Sequence, residues 1–441
     1  MNSHSQFRSE EVDTLFADES MISRYVEIEI SLALVQGQLG IIPMEAAKSI
    51  AETDVLSSFD LDRYKHDFDL VGYPIVGLVR QLTEQVPNGY GEYVHWGATT
   101  QDIMDTGLVL TLREVVDILQ KELNLLVEKL TSLANTYKST LMIGRSQLQQ
   151  AIPITFGYKV TGWIAPLIRH RERLEHIKPR LLQIQFGGAV GTLASLGEKG
   201  FKVKKALAKM LDLKESILAW HTQRDNLMEL MTFMSLLTGS LSKIATDVMF
   251  MTQTEVGELS EKPKPGGGRS STMPQKRNPI LTQNILVSGK LARAKLSGLL
   301  ESMIQDHERG SATWQVEWSL IPDLCSHSMS ALQSTNKLFE SLEIHKDRMH
   351  SNLEITDSMI YSESIMMELA SVLGRQHAHD VVDEAVSLSL SGMSFDEALL
   401  KIPEIHDVLS QGVLKDIFSG KVHREMAEKI ATKMLTDIKN N

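Results

Sequence analysis

The sequence predicts an all-α fold organised around long amphipathic helices, and three observations carry that expectation. From Leu112, apolar residues recur at Val116, Leu119, Leu123, Leu126, Leu130, Leu133 and Tyr137, in steps of four and three that keep them on one helical face. Two further runs keep a helical rhythm: Leu230, Phe233, Leu237, Leu241, Ile244 and Val248, then Leu281, Ile285, Ala292, Leu299 and Met303 after Pro279. No convincing period-two alternation marks a strand.

A helix of about 30 residues runs about 45 Å at about 1.5 Å per residue, a length that suits a bundle. Apolar stripes of that length must be buried against one another. If they exceed what one chain can cover, subunits share the bundle. Three regions are expected along the chain: an N-terminal helical domain over 1–106, a central long-helix bundle over 107–350, and a C-terminal helical domain over 351–441. The last is punctuated by Gly374, Gly392, Pro403, Gly412 and Gly420. The patch Lys262-Pro263-Lys264-Pro265-Gly266-Gly267-Gly268 cannot be helical and reads as a loop joining two long helices.

Composition narrows the function. With 45 Lys and Arg against 56 Asp and Glu, the net charge of −11 argues against a general nucleic-acid binder, which needs a basic surface. A local positive site for a small anion remains open. One cysteine, Cys325, excludes an internal disulfide and a cysteine zinc site, and suits a reducing cytosol. The N-terminus lacks a basic-then-apolar signal layout, and no stretch approaches the roughly 18–20 apolar residues that span a bilayer. A cytoplasmic protein is expected.

The chemistry-bearing segment follows the glycine patch: Arg269-Ser270-Ser271-Thr272-Met273-Pro274-Gln275-Lys276-Arg277-Asn278-Pro279. Hydroxyls, freed backbone N–H groups and a lysine on a hinged loop can cradle an anion. The plain alternative is a solvated basic linker. A Walker-type phosphate loop fits poorly, because no Gly-Lys-Ser/Thr follows the glycines at the required spacing. The segment resembles the signature Gly-Ser-Ser-x-Met-Pro-x-Lys-x-Asn-Pro of the fumarase/aspartase superfamily, and departs from it only where Arg269 replaces the first glycine.

That resemblance implies a cofactor-free and metal-free lyase or cycloisomerase working by anti elimination through an aci-carboxylate dianion. By position, Ser270 is implied as the base, an alkoxide after loop closure, with Ser271 beside it and Lys276 and Asn278 holding the carboxylate that gains charge. Loop closure, N–H donors and the nearby cation must lower the serine's pKa for this. The family also implies a homotetramer, with each site built from three subunits.

Two more segments extend the resemblance. In His95-Trp96-Gly97-Ala98-Thr99-Thr100-Gln101-Asp102-Ile103-Met104-Asp105-Thr106, the paired hydroxyls alone suggest a helix cap. The family implies that Thr99 and Thr100 bind the second carboxylate, with His95 where adenylosuccinate-lyase-like members hold a histidine. Asp102 and Asp105 are expected to organise the loop. Gly144-Arg145-Ser146-Gln147-Leu148-Gln149-Gln150-Ala151 resembles Gly-Arg-Thr-His-x-x-x-Ala, so Arg145 and Gln147 are expected to bind substrate. Gln147 replaces the familial histidine, and Gln283 replaces its glutamate partner.

Both halves of the expected relay are therefore neutral amides, which donate hydrogen bonds but cannot titrate as acids. His95 is the first candidate for the missing general acid and His66 the second. Trp220-His221-Thr222-Gln223-Arg224-Asp225 resembles a substrate-contacting segment of adenylosuccinate lyases, with Gln223 the contact. His307-Glu308-Arg309 and Trp314-Gln315-Val316-Glu317-Trp318 resemble the 3-carboxy-cis,cis-muconate cycloisomerase branch, and the tryptophans disfavour a nucleotide substrate. Residues 187–197 read as a helix-joining loop near the site. His377 and His379 do not share a helical face, so no metal site is expected there.

The sequence thus predicts a lyase or cycloisomerase acting on a small succinyl- or muconate-type polycarboxylate, releasing fumarate or forming a lactone. A non-catalytic structural or binding homologue is the alternative, suggested by Gln147 and Gln283.

Overall fold

A computed structural model describes residues 5–262, 273 and 275–440. Among the described residues seven helices have 20 or more residues: α1 Asp18–Gln38, α2 Thr100–Thr136, α3 Phe156–Leu181, α4 Asp225–Met251, α5 Ile280–Glu301, α6 Trp314–Ser341 and α7 Lys421–Asn440. Shorter helices and 3-10 turns fill most of the N- and C-terminal thirds. The all-α expectation holds. Among the described residues no helix is long and apolar enough to cross a membrane.

The predicted stripes are the buried faces. On α2, Leu112, Val116, Leu119, Leu123, Leu126 and Leu130 are each at most 1% exposed, and on α4 Leu230, Leu237, Leu241, Ile244 and Val248 are equally hidden. Helix α2 starts twelve residues earlier than its apolar stripe suggests, at Thr100. That start lies inside the second motif, and this decides how the motif is held. Met303, assigned to the α5 stripe, lies beyond the end of α5 and is 37% exposed.

The strand reading needs correction. Leu141–Ser146 (β1) pairs antiparallel with Gln149–Thr155 (β2), with a register break between Ile143 and Arg145. Leu259–Glu261 (β3) pairs antiparallel with Leu342–Ile344 (β4). The first hairpin escaped notice because Pro153 interrupts β2 and burial along β1 does not alternate. Its two-residue turn also lacks the usual Asn-Gly. Gln147 and Leu148 adopt φ of +51° and +63° themselves.

The chain falls into two compact units: Met1–Leu123, His170–Ser242 and Asn284–Gln333 form the first, and Asn124–Arg169, Lys243–Gln283 and Ser334–Asn441 the second. The five central helices each contribute residues to both. In the first unit, Ala33 of α1 forms one apolar cluster with Ile50, Leu82 and Val86. In the second, Ile365, Leu369, Ala385, Phe395 and Leu399 form another among the C-terminal helices.

Because Leu119 is fully buried on the longest helix, Leu119→Ala is expected to cost about 2–5 kcal/mol. Urea unfolding followed by circular dichroism checks this, through a lowered midpoint at unchanged slope.

Candidate active site

In the first unit the second motif is organised by one carboxylate. Asp102, 1% exposed in the first turn of α2, accepts from the backbone N–H of Thr99 at 3.1 Å, Gly187 at 3.0 Å and Gly188 at 2.8 Å. Gln185 Nε2 lies 3.2 Å and His221 Nε2 2.8 Å from the same group. An acid near a helix start that reaches back to the preceding residue's N–H is half of a capping box, and the helix dipole favours its charge. Asp102 thereby joins three segments that are far apart in sequence: the start of α2, the glycine loop at 187–197, and the stretch from Trp220 to Asp225. The organising role expected of this residue is the one it performs.

Asp105, one turn along, serves the same region differently. Arg224 donates to Asp105 at 2.7 and 2.9 Å and to Glu317 of α6 at 2.5, 2.9 and 3.2 Å, with all three groups buried. Burial disfavours the guanidinium charge, but the two carboxylates outweigh it and raise the Arg224 pKa. Burial also raises Glu317, and Arg224 opposes that shift only in part.

His95 and Trp96 are held from α1. The buried stripe of that helix runs through Ile22, Tyr25, Val26, Glu29, Leu32, Ala33 and Gln36, so two polar residues occupy apolar positions. Gln36 Nε2 donates to the Trp96 carbonyl at 2.6 Å, and Glu29 Oε1 lies 2.5 Å from His95 Nδ1. Burial pulls the His95 pKa down, but the charge and hydrogen bond of Glu29, with Asp102 behind, more than reverse this and raise it. Gly97 has φ of +73°, and a Cβ there would meet Leu196 at 2.8 Å, so glycine is required.

Thr99 immediately precedes α2, and its hydroxyl accepts from Arg309 at 3.0 Å. The same guanidinium donates to Gln101 Oε1 at 2.8 Å and to the Ala189 carbonyl at 3.2 Å. Thr100 is the half-buried first residue of α2, and Gln223 is exposed near His221 in sequence. His66 is exposed on the helix Leu61–Val71, without a hydrogen-bond partner among the described residues. The first unit thus brings His95, Thr99 and Thr100 into one short stretch and adds Arg309, which the sequence reading had not assigned to the site.

Trp314 and Trp318 meet edge to face at 4.9 Å, and each has its ring centre 6.2 Å from that of Tyr73. With Tyr25, Tyr64 and Phe68 they line a cavity of about 330 Å³, on whose wall Asp105 and Glu317 also lie.

The second unit holds the remaining segments. Arg145 makes a two-pronged pair with Glu258, at 2.7 and 2.9 Å, and Glu258 also accepts from Asn352 Nδ2 at 2.9 Å. Its terminal nitrogens are therefore already paired. Gln147 sits at the exposed hairpin turn, where two successive non-glycine residues with positive φ concentrate backbone strain. Ser270 and Ser271 lie outside the described residues. Beyond them, Lys276 is exposed and Asn278 half-buried ahead of α5. Glu261 of β3 caps that helix, accepting from the N–H groups of Leu281 at 3.0 Å and Thr282 at 2.8 Å. Gln283 is exposed in the first turn of α5.

Glu29, Glu258 and His221 had not been singled out as site residues. For Glu29 a signal existed: an acid in the middle of an apolar helical stripe needs a buried partner. Among the described residues no group of three or more His, Cys, Asp and Glu side chains is arranged to hold a metal.

Removing Arg224 would leave two buried carboxylates without their counter-ion. Arg224→Met is expected to destabilise the fold by about 3–5 kcal/mol, read as a fall in thermal midpoint.

Comparison with known proteins identifies the family. Residues 69–294 match the family described as Lyase, and residues 358–434 match Adenylosuccinate lyase C-terminus. Trans-aconitate decarboxylase 1 of Mycosarcoma maydis is 42% identical over 86% of this chain and 77% of its own length. The 3-carboxy-cis,cis-muconate cycloisomerase of Acinetobacter baylyi is 36% identical over 94% of this chain and 93% of its own. The crystal structure of beta-carboxy-cis,cis-muconate cycloisomerase from Acinetobacter calcoaceticus superposes with a TM-score of 0.92, at 32% identity, covering 99% of this chain and 100% of that one. With its signature loop, its buried helical stripes and the three motifs in order, this chain belongs to the lyase family of the fumarase/aspartase superfamily.

Proposed function

We propose that this enzyme catalyses reversible anti β-elimination or addition on a small polycarboxylate of the succinyl or muconate type, through an aci-carboxylate intermediate. The observation that carries this reading is the Ser270-to-Pro279 segment, which keeps the base, lysine and asparagine of the family signature. Ser270 removes the proton next to a carboxylate, while Lys276 and Asn278, with Ser271, hold the oxygens that gain charge. Thr99 and Thr100 take the second carboxylate, which the guanidinium of Arg309, 3.0 Å from the Thr99 hydroxyl, helps to neutralise. Gln147 and Gln223 bound the substrate, Arg145 lies beside Gln147 with its terminal nitrogens held by Glu258, and His95 returns the proton. The working unit in this reading is a cytoplasmic homotetramer whose sites combine segments of three subunits, needing neither cofactor nor metal. In it the chain divides by helix length near residues 106 and 350.

The similarity to a protein named trans-aconitate decarboxylase 1 supports a second outcome at the same site. Cleavage of a carbon–carboxylate bond leaves its electron pair on the substrate and releases carbon dioxide. The resulting carbanion, delocalised into a neighbouring carboxylate, then takes one proton from His95. This course asks for no acid at a leaving group, which suits neutral glutamines at positions 147 and 283.

Succinyl-amines, nitrosuccinate, carboxymuconate and trans-aconitate should be assayed together, by ultraviolet absorbance of unsaturated acids and by carbon dioxide release. Turnover without carbon dioxide selects elimination or cycloisomerisation, and carbon dioxide from a tricarboxylate selects decarboxylation. Ser270→Ala is expected to lower kcat on the accepted elimination substrate by about 10³-fold or more with the oligomer intact. Unchanged activity removes Ser270 as the base, and turnover of none of the four rejects the reading.

A further inference from the structure

The pair formed by Glu29 and His95 sets a buried carboxyl group directly against an imidazole. The Glu29 side chain is fully buried, with one oxygen 2.5 Å from His95 Nδ1 and the other, Oε2, buried without a hydrogen-bond partner. A carboxylate so placed is strongly disfavoured unless a cation stands against it, and the imidazolium is the only cation it contacts among the described residues. His95 is also anchored against its own backbone preference. It sits at φ of +60°, held by the Gln36 bond to the Trp96 carbonyl and by the packing of Gly97 on Leu196. Strain of this kind persists only where the surroundings over-determine it.

The other ring nitrogen of His95 has no hydrogen-bond partner among the described residues, and 21% of the side chain is exposed. One face of the imidazole is thus tied to a buried acid, and the other is open for proton transfer. At the two positions where the family resemblance implies a histidine and a glutamate, this chain has the exposed amides Gln147 and Gln283.

We propose that Glu29 is a positioning residue that keeps His95 as the imidazolium, so that a His–Glu pair between α1 and the start of α2 performs the proton delivery that Gln147 and Gln283 cannot. The inference rests on the reading of His95 as the proton donor. In the step, the Nε2–H bond breaks, its electrons stay on the ring, and the proton passes to the departing atom or to the carbanion carbon. Neutral His95 keeps Nδ1–H donating to Glu29 and regains its proton from solvent.

The ionisable groups facing this pair are few. Glu29 approaches from α1 and Asp102 from α2, and both favour the charged imidazole against its burial. The donor form therefore survives above the ordinary imidazole range and is lost as pH rises through the raised value.

Two measurements on the intact protein test this. Diethylpyrocarbonate acylates only neutral imidazole, so its rate against pH, read by mass spectrometry on the peptide carrying His95, reports that group without substrate. The wild-type midpoint is expected above about 6.5, and Glu29→Gln is expected to lower it by about one unit or more, with Glu29→Asp between. The alkaline limb of kcat/KM should move down with it, cutting turnover above that limb roughly tenfold. Identical acylation profiles in wild type and both variants overturn the pairing. A shifted acylation profile beside an unmoved kinetic limb overturns the proton-donor role of His95 while the pairing stands. Should Glu29→Gln fail to fold, judged by circular dichroism, Glu29→Asp carries both comparisons.

Discussion

The first unit's part of the site depends on a single buried carboxylate at the start of the longest helix. Asp102 collects three backbone N–H groups, an amide and an imidazole from three distant stretches of chain. No other side chain suits the task as well. A carboxylate offers about four lone-pair sites at one point, and the helix N-terminus supplies the positive potential that makes its burial tolerable. Once it is satisfied, the positions of Thr99, Gly187, Gly188 and His221 are set relative to α2. The hydroxyls of Thr99 and Thr100 then inherit the rigidity of a helix of 37 residues.

Within each unit the protein places charge in compensated groups. Arg224 sits between Asp105 and Glu317, and Glu29 sits against His95. In the second unit Arg145 sits against Glu258. Each pair fixes its side chains and removes the cost of a lone buried or half-buried charge. Arg309 is different. Its contacts at Thr99, Gln101 and Ala189 are all neutral acceptors, so its positive charge is unspent and available to a carboxylate.

Besides Arg269 in the signature loop, two neutral amides at positions 147 and 283 depart from the pattern this chain otherwise follows. The hairpin that carries Gln147 has an exposed, left-handed turn, and the side chain it presents there does not titrate. In the proposal made above, the histidine held by Glu29 takes over the proton transfer that these amides cannot perform. That arrangement separates the geometry of substrate binding from the chemistry of protonation.

The sequence by itself determined the helical class, the buried faces of the long helices and the identity of the family, because apolar periodicity and contiguous motifs are local properties of the chain. It also offered Ser270, Lys276, Asn278, Thr99 and Thr100 as candidates, since each stands within a contiguous pattern. The β1–β2 hairpin was illegible because its strands lack alternation and its turn lacks the residues that normally take positive φ. Only the tertiary structure decided the partners: Glu29 for His95 across 66 residues, Glu258 for Arg145 across 113, and Arg309 for Thr99 across 210. Such pairings are invisible in a linear chain for a physical reason. An acid or base carries no mark of the opposite group it will meet, and burial, which makes the meeting compulsory, exists only after the helices have packed.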